Sequence, residues 1–110
     1  MNVAELAEKL QLKTVCGVEG MKRKLEGCYI GDLLSLAMSR VQKDNVWITI
    51  QTNINVAAVA SLTEAGCVLL CDGFMPDENI LQKAELEDIA VLSSEKTAYE
   101  LACRLSELGI

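Results

Sequence analysis

The sequence predicts an α/β domain: a mostly parallel sheet of about four to five strands flanked by helices. Three observations lead there. Short apolar runs alternate with helical patterns along the whole chain, in the rhythm strand, helix, strand, helix. The connections between them are short, and most of the seven glycines and the single proline fall at the turns. Hydrophobic residues make up 51% of the chain but aromatics only 4%, so the core must be built from Leu, Ile, Val, Ala and Cys, as in parallel sheets covered by helices.

Taken in order, Val3, Leu6, Ala7 and Leu10 stand at helical spacing, which predicts a helix over residues 2–11 with Asn2 as its cap. Thr14-Val15-Cys16 is a short β-type segment ended by Gly17, and a loop follows through Gly20 and the basic triplet Lys22, Arg23 and Lys24. Cys28-Tyr29-Ile30 is strand-like, and Asp32 after Gly31 is placed to cap a helix from Leu33 to Val41. Val46 to Ile50 is a clearer strand, with Trp47, Ile48 and Ile50 as large β-formers.

Thr52-Asn53-Ile54-Asn55 turns the chain into an alanine-rich helix, Val56 to Ala65, that Gly66 should stop. Cys67 to Cys71 is a continuous apolar run, short enough for a buried parallel strand. Asp72-Gly73 turns outward, and Pro76-Asp77-Glu78 opens a helix with proline in its first turn. Ile89 to Leu92 is the last strand. Ser94 or a neighbour caps a final helix through Leu108, with Tyr99, Ala102, Cys103 and Leu105 on its inner side.

At 110 residues the chain fits one domain, residues 1–110. The net charge of −6 argues against nucleic acid and against an anionic membrane as partners. The basic triplet reads as a solvated loop. No apolar stretch reaches the length of a bilayer span, and Met1 to Lys13 is an amphipathic helix rather than a signal peptide, which predicts a cytoplasmic protein. The five cysteines, 16, 28, 67, 71 and 103, are odd in number and contain no C-x-x-C, so they read as reduced, mostly buried thiols. Cys67 and Cys71 share a strand face but stand roughly 13 Å apart along it, too far for one metal ion. Neither a metal nor a cofactor is expected.

Chemistry in an open parallel sheet sits at the carboxyl ends of its strands. Four such ends can be read: Gly31-Asp32, Gln51-Thr52-Asn53, Asp72-Gly73 and Ser93-Ser94. Each is polar, and most precede a helix whose free N–H groups suit a phosphate or carboxylate. The same residue types are also good helix caps, so capping alone accounts for them equally well. Catalysis has little support. There is no P-loop and no G-x-G-x-x-G, and with no histidine the chain lacks an ordinary base near neutral pH. A cysteine nucleophile at Cys16 or Cys28, near the basic triplet, stays open.

Several segments resemble the DRTGG domain family: Tyr29-Ile30-Gly31-Asp32-Leu33-Leu34-Ser35, Trp47-Ile48-Thr49-Ile50-Gln51-Thr52-Asn53, and Leu92-Ser93-Ser94 with Tyr99-Glu100-Leu101-Ala102. The fold so implied is similar to the N-terminal domain of HPr kinase/phosphorylase. The resemblance implies a non-catalytic regulatory or ligand-sensing domain, often a homodimer, acting on a partner enzyme in anaerobic or carbon and energy metabolism. Stand-alone members resembling this chain occur near iron-only hydrogenase genes. A small anionic metabolite or a nucleotide is the implied ligand. Thr52-Asn53 stands where the family has Asp-Arg, and Cys71-Asp72-Gly73 where it has Thr-Gly-Gly, so only Gly73 is kept and the anion-binding arginine is missing. The kinase's P-loop domain is missing too, so kinase activity is not implied. Two alternatives remain open: a protein-interaction or assembly factor for a redox enzyme, with Phe74 and Met75 as docking residues, and a thiol redox sensor. For a homodimer, helix 56–65 and the final helix are the candidate interfaces.

Overall fold

The computed structural model describes all of residues 1–110. Five strands, β1 (Lys13–Cys16), β2 (Cys28–Ile30), β3 (Val46–Thr49), β4 (Cys67–Leu70) and β5 (Val91–Ser93), form one sheet in the order β1-β5-β4-β3-β2. The pairs β2–β3, β3–β4 and β4–β5 are parallel, and only β1 runs antiparallel, against β5. The predicted α/β class is therefore what the chain adopts.

The helices α1 (Val3–Leu10), α2 (Leu34–Arg40), α3 (Ile54–Thr63), α4 (Glu78–Leu86) and α5 (Ala98–Glu107) cover the sheet. Strand alternation sorts the core into two halves. Val46, Ile48, Cys67, Leu69, Cys71, Ala90 and Leu92 pack against Val3, Leu6 and Leu10 of α1 and Leu101 and Leu105 of α5. Trp47, Val68, Leu70 and Val91 point the other way, against Ala37 of α2, Val56, Ala57, Val59 and Ala60 of α3, and Ile80 and Ala84 of α4. The central strands bury every side chain on both faces, which explains why their sequences read as unbroken apolar runs.

Local signals account for most boundaries. Asn2 accepts from the Glu5 amide at 2.9 Å, and Glu5 Oε1 accepts from the Asn2 amide at 3.1 Å, a reciprocal cap on α1. Thr97 and Glu100 repeat the arrangement on α5. The cap of the last helix is thus Thr97, three residues beyond Ser94, because the T-x-x-E spacing satisfies two amides where Ser94 could satisfy one.

Several expectations are corrected. α3 spans Ile54–Thr63 and ends at Glu64, which itself takes the left-handed conformation at φ 58°. Gly66 serves a different need: a Cβ there would lie 2.5 Å from Leu25 Cδ2 and 2.7 Å from the Asp44 carbonyl oxygen. Helix α2 has Leu33 at its cap position with no side-chain bond, so Asp32 does not cap it. Pro76 precedes Asp77, the cap residue of α4, instead of lying in the first turn. Tyr99 is 78% exposed, since Leu101 and Leu105, four apart, set the buried stripe of α5. Helix α3 is apolar nearly all round because it is the middle helix of its layer, with the sheet beneath and α2 and α4 on either side. Most of that apolar surface is therefore already covered within the chain. Of the basic triplet, Lys22 and Lys24 are exposed as expected, and only Arg23 is drawn into the fold. Arg23 donates to Asp44 at 3.3 Å and to the Glu64 carbonyl at 2.7 Å, holding the β2–β3 side of the molecule together. No helix is long and apolar enough to cross a membrane.

Candidate ligand site

Helices α2, α3 and α4 all lie on one face of the sheet, whereas α5 lies on the other. The loop leaving β4 toward α4 and the loop leaving β5 toward α5 therefore part company at adjacent strand ends. In open α/β sheets such a divergence leaves a crevice at the carboxyl ends. Here it holds a basin of about 440 Å³, lined by Gly73 and Met75 from the first loop, Ser93, Ser94, Glu95 and Lys96 from the second, and Leu10, Gln11 and Lys13 from the α1–β1 corner.

The floor of the basin is well determined. The Asp72 amide donates to the Lys96 carbonyl at 2.8 Å and the Gly73 amide to the Ser94 carbonyl at 2.9 Å. Asp72 and Gly73 both take positive φ, 55° and 75°, so the turn needs residues that tolerate the left-handed region. A Cβ on Gly73 would come 2.7 Å from Glu95 Oε2, so this glycine lets the Glu95 carboxylate lie against the turn. Buried Ser93 donates its hydroxyl to the Phe74 carbonyl at 2.9 Å, which pins the β4 loop to β5. Ser94 Oγ accepts from the Lys96 amide at 3.1 Å. The two serines thus fix loop shape first, as capping alone would require.

The charged groups are Lys13, Lys96 and Glu95. Neither lysine takes part in any ion pair of the structure. Lys13 arrives because β1 pairs antiparallel with β5, with Lys13 opposite Ser93. Two cations outside any ion pair at one crevice can hold an anion, and Glu95 can accept from a hydroxyl or amine on the same molecule. Sequence reasoning missed Lys13, Lys96, Glu95 and Gln11. Lys96 was legible as a neighbour of Ser93-Ser94, but nothing in the sequence places the first strand beside the last.

The other predicted site residues form a separate, closed network on the β2–β3 side. One carboxylate oxygen of Asp32, Oδ1, accepts from the Thr49 hydroxyl and the Ile50 amide, each at 2.9 Å. Gln51 donates through Nε2 to the Asp32 carbonyl at 2.9 Å, and Asn53 donates to Gln51 Oε1 at 3.2 Å. Asn53 Oδ1 then caps α3 by accepting from the Asn55 amide at 2.9 Å. The Thr52 carbonyl accepts from the Asp77 amide at 3.0 Å, and the Gly31 carbonyl from Trp47 Nε1 at 3.0 Å. Gly31, Asp32, Gln51, Thr52 and Asn53 are therefore engaged within these loops and with Trp47, Thr49, Ile50 and Asp77, and they line no part of the basin. Asp32→Ala would leave the buried Thr49 hydroxyl without its acceptor, which costs about 1–3 kcal/mol. Urea denaturation should show that loss, and a change under about 0.5 kcal/mol would mean that the network does not hold these loops.

The thiols lack the setting of reactive ones. Burial pushes Cys16 up to about 11, with nearby Glu85 adding to the effect. Cys28 is exposed at the sheet edge by surface area, yet the protein packed around its thiol still desolvates it and pushes it to about 11. Cys16 and Cys28 are consequently protonated at neutral pH, which removes the support for a thiolate sensor at these positions.

Sheet order and layers define a mostly parallel α/β module with a crevice where its last connections diverge. The chain belongs to the DRTGG domain family, whose model matches residues 5–108. Among solved structures, it is similar to the CBS and DRTGG domains of the regulatory region of Clostridium perfringens pyrophosphatase, complexed with its activator diadenosine tetraphosphate. The TM-score is 0.74 at 11% identity, over 92% of this chain and 44% of that one, so this chain spans less than half of the regulatory region. Among curated proteins, no relative matches.

Proposed function

We propose that this chain is a non-catalytic regulatory module that takes a small phosphorylated metabolite or nucleotide in the basin and acts on a partner enzyme. The observation that carries the reading is the pair of unpaired lysines, Lys13 and Lys96, brought to one crevice in a chain of net charge −6. Glu95 beside them suits the hydroxyls or amino group of a nucleoside better than a bare inorganic anion. The likeness to a regulatory region crystallised with a nucleotide activator supports the class of role, although the chain there carries CBS domains as well. In this reading the module works as a homodimer, and the open β2 edge, with Ile30 and Leu36 exposed beside it, supports that form.

The test is thermal melting against nucleotides, phosphorylated metabolites and small anions. A ligand of the folded state stabilises by about 2.7 kcal/mol at a hundredfold excess over its Kd. Lys13→Gln with Lys96→Gln should abolish that shift, whereas Asp32→Ala should lower the melting point yet keep the shift. No shift with any compound would sink the ligand reading. Sedimentation of the same samples reads assembly, and a monomer at every concentration removes the homodimer.

A further inference from the structure

Away from the lysines, the carboxyl end of the sheet has a different character. Leu33, Ile50, Ile54 and Phe74 follow β2, β3 and β4, and all are exposed, Leu33 by 65% and Phe74 by 44%. Their loops are laced together by the Asp32–Ile50, Gln51–Asp32 and Asp77–Thr52 hydrogen bonds, so these side chains ride on one firm rim. The charges on this rim are all of one sign. Asp32, Asp72, Asp77 and Glu78 stand among the apolar residues, and none of the four is in an ion pair. From Leu25 to Ser39, and again from Asp44 to Gln82, the sequence has no lysine or arginine.

We infer that the rim of Leu33, Ile54 and Phe74, with its unpaired carboxylates, is a docking surface for a basic amphipathic segment of a partner protein. Exposed apolar side chains in such a group mark an interaction surface, and the charge selects its occupant. A second copy would bring carboxylates against carboxylates. An anionic membrane or a nucleic acid would be repelled in the same way. A helix with leucines on one side and lysines or arginines flanking them satisfies both features. The inference does not rest on the basin, since neither Phe74 nor Ile54 lines it.

The probe is a fluorescent synthetic Leu/Lys amphipathic peptide, read by anisotropy with the full chain, alongside the same peptide with glutamate for lysine. The lysine peptide should bind and the glutamate peptide should not. Phe74→Ser with Ile54→Ser should weaken binding about tenfold or more, which is about 1.4 kcal/mol. Asp72→Asn with Asp77→Asn should weaken it and flatten its salt dependence. Glu5→Gln with Glu8→Gln, on α1, should leave binding unchanged, as should Lys13→Gln with Lys96→Gln. Circular dichroism checks that each variant folds, and Leu33→Ser replaces the double apolar variant if that one does not. Binding that responds to the α1 pair as strongly as to the rim pair would mean only general attraction to an acidic protein and would overturn the proposal. Binding indifferent to Phe74, Ile54 and Leu33 would do the same. So would sedimentation showing a homodimer that excludes the peptide and that Phe74→Ser with Ile54→Ser converts to a monomer.

Discussion

Trp47→Ala should lower the unfolding free energy by about 3–5 kcal/mol, the usual loss when a large buried ring is deleted. Trp47 is the largest fully buried side chain, on the interior strand β3, where it meets the layer of α2, α3 and α4. Its Nε1 also donates to the Gly31 carbonyl, which fixes the chain just ahead of Asp32. The substitution therefore opens a cavity and frees the β2–α2 turn together. Because domains of this size are stable by only about 5–15 kcal/mol, the variant should stand close to unfolding. Since Trp47 is the chain's single tryptophan, urea titration should be followed by circular dichroism. Trp47→Phe keeps most of the ring and should retain most of the stability. A loss below about 1 kcal/mol for the alanine variant would show that the layer collapses into the space or that the ring seals little.

The second large effect lies at alkaline pH. Burial lifts Cys67 from 9.0 to about 12, so its thiol stays protonated in the fold. The unfolded chain ionises it near the ordinary value. Below about pH 9 both states hold the proton and its contribution to stability is fully present. Between 9 and 12 the unfolded state gives the proton up while the fold retains it, so stability falls by about 1.4 kcal/mol per pH unit for this thiol. Desolvation raises Cys16, Cys28 and Cys71 to about 11, and they add in the same direction. Denaturation curves under reducing conditions should become steeply pH-dependent above pH 9, and Cys67→Ala should remove about one proton from that dependence. Equal slopes for the two proteins would show that Cys67 ionises freely in the fold.

Strand and helix identities were legible because each rests on a local pattern: apolar runs at Val46–Thr49 and Cys67–Leu70, helical spacing in Val3, Leu6 and Leu10, the Asn2 cap. What was misread involves distant partners. Asp32 looks like a cap in the sequence, yet its carboxylate is held by Thr49 and Ile50, seventeen and eighteen residues on. Gly66 looks like a helix stop, yet Leu25 and Asp44 crowd it from elsewhere in the chain. The candidate site divides along the same line. Gly73, Ser93 and Ser94 reach the basin because they end β4 and β5, as the strand-end rule anticipates. Lys13 reaches it only because β1 closes the sheet antiparallel to β5, a pairing across eighty residues that no local pattern announces.

That closing pairing also fixes an order of events as the chain leaves the ribosome. β2, β3, β4 and β5 join in the sequence in which they emerge, each beside its predecessor. α1 and β1 are made before the rest of the sheet, but β1 must wait for β5, and Val3, Leu6 and Leu10 lack Leu92, Leu101 and Leu105 until β5 and α5 are out. Until then α1 is held by residues 23–25, whose backbone pairs with Met1 and Val3, but part of its apolar face stays uncovered and β1 is an unpaired strand, the kind of surface that chaperones engage. Docking of the N-terminal segment should be among the last steps of folding, and the basin that depends on Lys13 comes into being only then.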